Sequence, residues 1–92
     1  MLAIIAEAIN ERQTLCFIYK GRERCVEPHT YGRSIKGYDA ICAWQESGGS
    51  GVGYRLFKVD ELTGLAKGGQ FAGPRPNYTR SDSRFSSIYA EL

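Results

Sequence analysis

Arg24 and Arg55 are the residues best suited to chemistry in this 92-residue chain. A guanidinium fork matches the oxygens of a phosphate in a bidentate way that an ammonium does not. Arg22 and Arg24 share one face of a strand by parity, and Arg55 opens another strand between Tyr54 and Phe57. In a small barrel the start of one strand approaches the middle of its neighbour. Arg24, His29, Tyr38 and Arg55 would then converge, with Tyr19 and His29 adding hydrogen bonds. Cations for a backbone and aromatic faces for bases are what single-stranded nucleic acid or a nucleotide requires. The competing reading is a solvated, charged barrel wall. It would have surface pairs such as Arg24 with Glu27, and Tyr31, Tyr38 and Trp44 in the core.

Catalysis is not expected. His29 is the single histidine, and triads and metal sites need partners for it. Glu27 lies two residues away, on the same strand face, where a surface pair is the ordinary outcome. No serine stands in a G-x-S-x-G context. The glycine loop 47–53, "SGGSGVG", lacks the Lys-Ser/Thr ending of a phosphate loop and reads as a mobile hairpin connection. No metal and no cofactor is called for. Cys16, Cys25 and Cys42 are an odd number at wide spacings, each inside a strand-like run. They are expected as buried, reduced structural thiols, which suits a cytoplasmic protein.

Positioning these residues falls to one small domain. Composition, 42% hydrophobic and 12% aromatic, is that of a folded chain, and a net charge of +2 is too small for bulk nucleic-acid coating. The cations are nonetheless clustered. Lys20, Arg22, Arg24, Arg33 and Lys36 stand against Glu23 and Glu27, and Lys67, Arg75, Arg80 and Arg84 against Asp82. The apolar start, "MLAIIAEAI", is too short to span a membrane and carries no signal-peptide cleavage pattern.

Leu2, Ile5, Ala6 and Ile9 recur at helical spacing, so residues 2–12 read as an amphipathic helix. From Thr14 the period becomes two. "TLCFIYK", "RCVEPHTY", "YDAICAWQE" and "YRLFKVDEL" read as strands, with "TGLAKGGQF" a short fifth. Pro28 must sit at an edge, bulge or bend. The expected fold is mainly β: a five-stranded antiparallel barrel capped at one end by the N-terminal helix. A short C-terminal helix would follow, capped by Ser81 or Asp82, with Phe85, Ile88, Tyr89 and Leu92 on one stripe.

The order "LCFIYKGRERCVEP", "GYDAICAW", "YRLFKVDEL" and "GGQF" resembles the WYL domain of bacterial and phage regulators. Arg24, Val26, Glu27 and Pro28 match that family's Arg-x-Val-x-Pro strand, and Tyr54, Arg55 and Phe57 its Arg-x-Phe strand. Its Trp-Tyr-Leu stands here as Tyr38, Asp39 and Ala40. The resemblance covers roughly residues 4–72. It implies an Sm-like, SH3-type barrel at 1–72 with an extension at 73–92. It also implies a sensor that binds a nucleic acid or nucleotide and signals to an attached DNA-binding domain. The alternative is an interaction module whose stripe of Phe85, Ile88, Tyr89 and Leu92 binds a second copy or another subunit. Asp39 motivates that reading, because a carboxylate beside the pocket repels phosphate.

Overall fold

The computed structural model describes residues 2–46 and 51–92; residues 47–50 of the expected glycine loop lie outside that description. One helix, α1 (Ala3–Glu11), is followed by strands β1 (Gln13–Tyr19), β2 (Arg22–Ser34), β3 (Asp39–Gln45), β4 (Gly53–Lys58), β5 (Thr63–Gln70) and β6 (Phe85–Glu91). A 3-10 turn, Val59–Glu61, links β4 to β5.

Helix α1 buries Ile5, Ala8 and Ile9, the stripe expected from the spacing. It stops at Arg12, which takes a left-handed conformation (φ 54°) and returns its N–H to the carbonyls of Ala8 and Ile9. The helix is the longest among the described residues, and none is long and apolar enough to cross a membrane.

All strands pair antiparallel, in the order β4-β3-β2-β1-β5, with β6 also on β2. Lys20 and Gly21 both have positive φ (51° and 77°) and make the two-residue turn that joins β1 to β2. β2 is long enough to serve three neighbours. β1 pairs with residues 22–26, β3 with 26–33 along the opposite edge, and β6 with 30–34 along the edge that β1 has left. Pro28, which cannot donate to a ladder, stands at a bulge between Pro28 and Thr30. Val26 before the bulge and Tyr31 after it therefore both face the core.

That core joins Ile5, Ala8 and Ile9 to Leu15, Phe17, Val26, Tyr31, Ile41, Ala43 and Phe57. Phe57 meets Phe17 and Tyr19 edge-to-face at 5.1 and 5.0 Å. On the other face of the sheet Ala40, Cys42 and Phe85 form a second cluster with Tyr38, Tyr54, Leu56 and Ile88 around it.

The mainly β, antiparallel fold with an N-terminal helix is as expected; three details differ. The sheet has six strands rather than five, and it is open, since β4 and β5 at the ends of the order do not pair. The expected C-terminal helix is strand β6. Two consecutive serines, Ser86 and Ser87, are poor helix formers, and the segment completes the bare edge of β2. Asp82 does organise its entry, accepting from the backbone N–H of Arg84 at 2.9 Å. Finally, Cys16 and Cys25 are not separate thiols: they face each other across β1 and β2 and form a disulfide, leaving Cys42 buried and unbridged. The two-residue turn places residues nine apart directly opposite.

Candidate functional site

β1, β2, β3 and β4 carry apolar residues along the inner face until one end, where the alternation continues but the chemistry changes. Tyr19 continues the Leu15–Phe17 row, Arg24 the Val26 row, Gln45 the Ile41–Ala43 row, and Arg55 the Phe57 row. Arg24 lies over two rings, its guanidinium carbon 5.1 Å from the centroid of Tyr19 and 5.8 Å from that of Phe57. Its Nη1 donates to Gln45 Oε1 at 3.2 Å. Gln45 is fully buried and passes the contact on, Nε2 donating to the Gly51 carbonyl at 3.1 Å. Arg55 Nη2 donates to the same carbonyl at 3.3 Å, and its Nη1 to the Tyr54 carbonyl at 2.9 Å. One buried amide and one backbone carbonyl thus connect the two guanidinium groups.

A buried Nε without a hydrogen bond sets Arg24 apart from the other cations among the described residues. Arg33, Lys67, Arg75, Arg80 and Arg84 each pair with a carboxylate. Half-buried Arg24 has no carboxylate partner among the described residues, and its Nε is buried without a hydrogen bond. A desolvated cation in that state is costly until an anion or water reaches it. Beside it, burial raises the Tyr19 hydroxyl above its ordinary pKa, and the neighbouring, hydrogen-bonded Glu61 raises it further.

Of the five expected site residues, the structure brings together Arg24, Arg55 and Tyr19. Tyr38 packs with the second cluster, and Lys58 Nζ already occupies its ring at 4.7 Å. His29 is elsewhere and fully buried. Its Nδ1 lies 2.8 Å from the Glu27 carbonyl, and its Nε2 accepts the Arg75 backbone N–H at 3.0 Å. A carbonyl can only accept and an N–H only donate, so Nδ1 carries the proton and the ring is neutral. Burial lowers its pKa accordingly. Tyr54, Phe71 and Tyr78 enclose the ring at 5.4, 6.0 and 5.0 Å. His29 thereby pins residues 71–78 to the sheet.

The anticipated Arg24–Glu27 pair does not form, because the two residues have opposite parity. Glu27 instead holds Arg75 through two bonds, 2.8 Å to Nε and 2.9 Å to Nη2. Arg75 also reaches Glu46 at 3.1 Å and lies 5.4 Å from the Trp44 ring. The hydrogen bonds Arg75 donates to Glu27 raise the Arg75 pKa. The stripe expected at the terminus is dispersed. Phe85 is buried, Ile88 joins the second cluster and Leu92 the main core. Tyr89 leans on Tyr31 at 5.0 Å and donates to Asp39 Oδ1 at 2.8 Å.

The linking residues, Gln45 and Gly51, were not among the expected site residues. A signal for Gln45 existed: strand parity puts it on the same buried side as Ile41 and Ala43. No family model, curated protein or solved structure matches this chain.

Proposed function

We propose that the chain is a WYL-like sensing module that binds a nucleic acid or a nucleotide at the Arg24–Arg55 end of its sheet. The observation that carries this reading is the half-buried Arg24 guanidinium, which has no carboxylate partner among the described residues and leaves Nε unsatisfied. A phosphate oxygen supplies both the missing charge and the missing acceptor. Arg55, tied to Arg24 through Gln45 and Gly51, provides the second fork, and Tyr19 the aromatic wall. The open six-stranded sheet corresponds, in this reading, to the Sm-like barrel that the resemblance implies. The module signals to a DNA-binding domain, attached or separate, and performs no catalysis.

The test is a titration of a labelled single-stranded oligonucleotide at two salt concentrations. With two to three phosphates neutralised, log affinity falls against log salt with a slope of about −2. A flat response, or no binding at all, rejects the reading. The alternative, an interaction module, has less support than the sequence offered, because Phe85, Ile88 and Leu92 are spent inside the chain.

A further inference from the structure

We infer that Cys16–Cys25 is a thiol-exchange site, a disulfide that opens and closes reversibly in the folded protein. The two residues are direct partners in the β1–β2 register, with Cα atoms 4.1 Å apart. That placement comes from the two-residue turn and the flanking rungs Leu15 with Val26, Phe17 with Arg24, Ile18 with Glu23 and Tyr19 with Arg22. The hairpin is therefore held in register on both sides of the bond without it. Reduction leaves the thiols facing each other, ready to close again.

Access is also built in. Cys25 is exposed and Cys16 half-buried. Both line a cavity of about 250 Å³ with Ile18, Glu23, Arg24 and Ala66. An accessible disulfide is the kind that exchanges, whereas buried structural ones resist. Cys42 provides the internal contrast. It is buried in the second cluster, 3.4 Å from Arg84 Nη2, and burial raises its thiol pKa. Only 4% exposed and with a raised pKa, it is the thiol slowest to meet a reagent.

The co-reactant is a low-molecular-weight thiol. Its thiolate attacks the sulfur of Cys25, the more exposed of the two residues, forming a mixed disulfide and releasing Cys16 as a thiolate. A second thiolate attacks the small-molecule sulfur of that mixed disulfide, releasing Cys25. The two cysteine thiolates take protons from water, the protein gains two electrons, and the small thiol leaves as its own disulfide. Closure runs the same steps backwards.

The experiment holds the native protein in millimolar reduced or oxidised glutathione, quenches with a maleimide and maps the labels by mass spectrometry. Expected are labels on Cys16 and Cys25 in the reduced buffer, none on either in the oxidised buffer, and Cys42 unlabelled in both. Labelling of Cys16 and Cys25 only after denaturation overturns the inference, as does persistent labelling in oxidised glutathione. In Cys16→Ser, oxidised glutathione should leave its adduct on Cys25; an unmodified Cys25 overturns the assigned point of attack. These readouts report exchange whether or not an oligonucleotide binds.

Discussion

At the scale of single residues, Arg24 and His29 show how one strand assigns opposite jobs to neighbouring polar groups. Both stand in β2, but Arg24 is a cation awaiting a counter-charge while His29 has every polar atom matched. Replacing Arg24 and Arg55 with alanine should weaken oligonucleotide binding about tenfold or more, since a charge-assisted hydrogen bond contributes roughly 1.5–3 kcal/mol. Fluorescence anisotropy of the double variant checks this. The thermal midpoint should fall by a few degrees at most while the fold is kept, because Arg24 covers the Tyr19 and Phe57 rings and bonds Gln45 but neither arginine belongs to the apolar cluster.

His29 makes a prediction about pH. Its folded pKa lies below the 6.5 of an exposed imidazole, so the unfolded chain binds the proton more readily. Its contribution to stability is complete above the unfolded value. It is lost as pH falls below about 6.5, with a limiting slope near 1.4 kcal/mol per pH unit. Urea unfolding at several pH values should show this slope in the parent and a shallower one in His29→Gln. Equal slopes would mean that the buried ring does not titrate with unfolding.

Among the elements, strand parity was legible and pairing was not. Alternation put Leu15, Phe17 and Tyr19 on one face and marked Pro28 as a bulge or bend, as observed. The C-terminal segment was ambiguous because Phe85, Ile88, Tyr89 and Leu92 fit the helical period. What decides for strand is the bare edge of β2, a tertiary fact to which the weak helix propensity of Ser86 and Ser87 adds the one local trace. Gly32 makes that pairing possible: a Cβ there would collide with the backbone carbonyl of Ser87. Gly32→Ala should therefore cost about 1–3 kcal/mol and release β6 from β2. Amide exchange of residues 85–91 should accelerate in this variant more than that of β1, and equal protection would refute the argument. The cysteine pairing was equally hidden, since it depends on a turn of two residues rather than on cysteine spacing.

For the molecule as a whole, residues 71–92 are part of the fold, not an appendage. The Phe71 N–H donates to the Arg12 carbonyl at 2.8 Å, and the Leu92 N–H to the His29 carbonyl at 3.0 Å. Tyr54 Oη donates to the carbonyls of Arg75 and Pro76. The radius of gyration, 11.8 Å, matches the roughly 12 Å expected of a chain this long packed as one body. Deleting residues 82–92 should thus unfold or aggregate the protein rather than merely change its association, as circular dichroism and light scattering would show together. A truncated chain that keeps the parent's spectrum and melting point would contradict this. The second of the two basic clusters read from the sequence dissolves at this scale, because Lys67, Arg75, Arg80 and Arg84 are each matched to a carboxylate, Lys67 and Arg75 to ones distant in the chain.

The pairing of β6 with β2 has a kinetic corollary. Ser34 meets Phe85 and Thr30 meets Glu91, contacts that a growing polypeptide cannot make until some fifty further residues have left the ribosome. Through that interval an unpaired hydrogen-bonding border lies open to any other nascent strand. Refolding should accordingly be slow for so small a protein, and the unfinished chain is the form a cell would have most reason to chaperone.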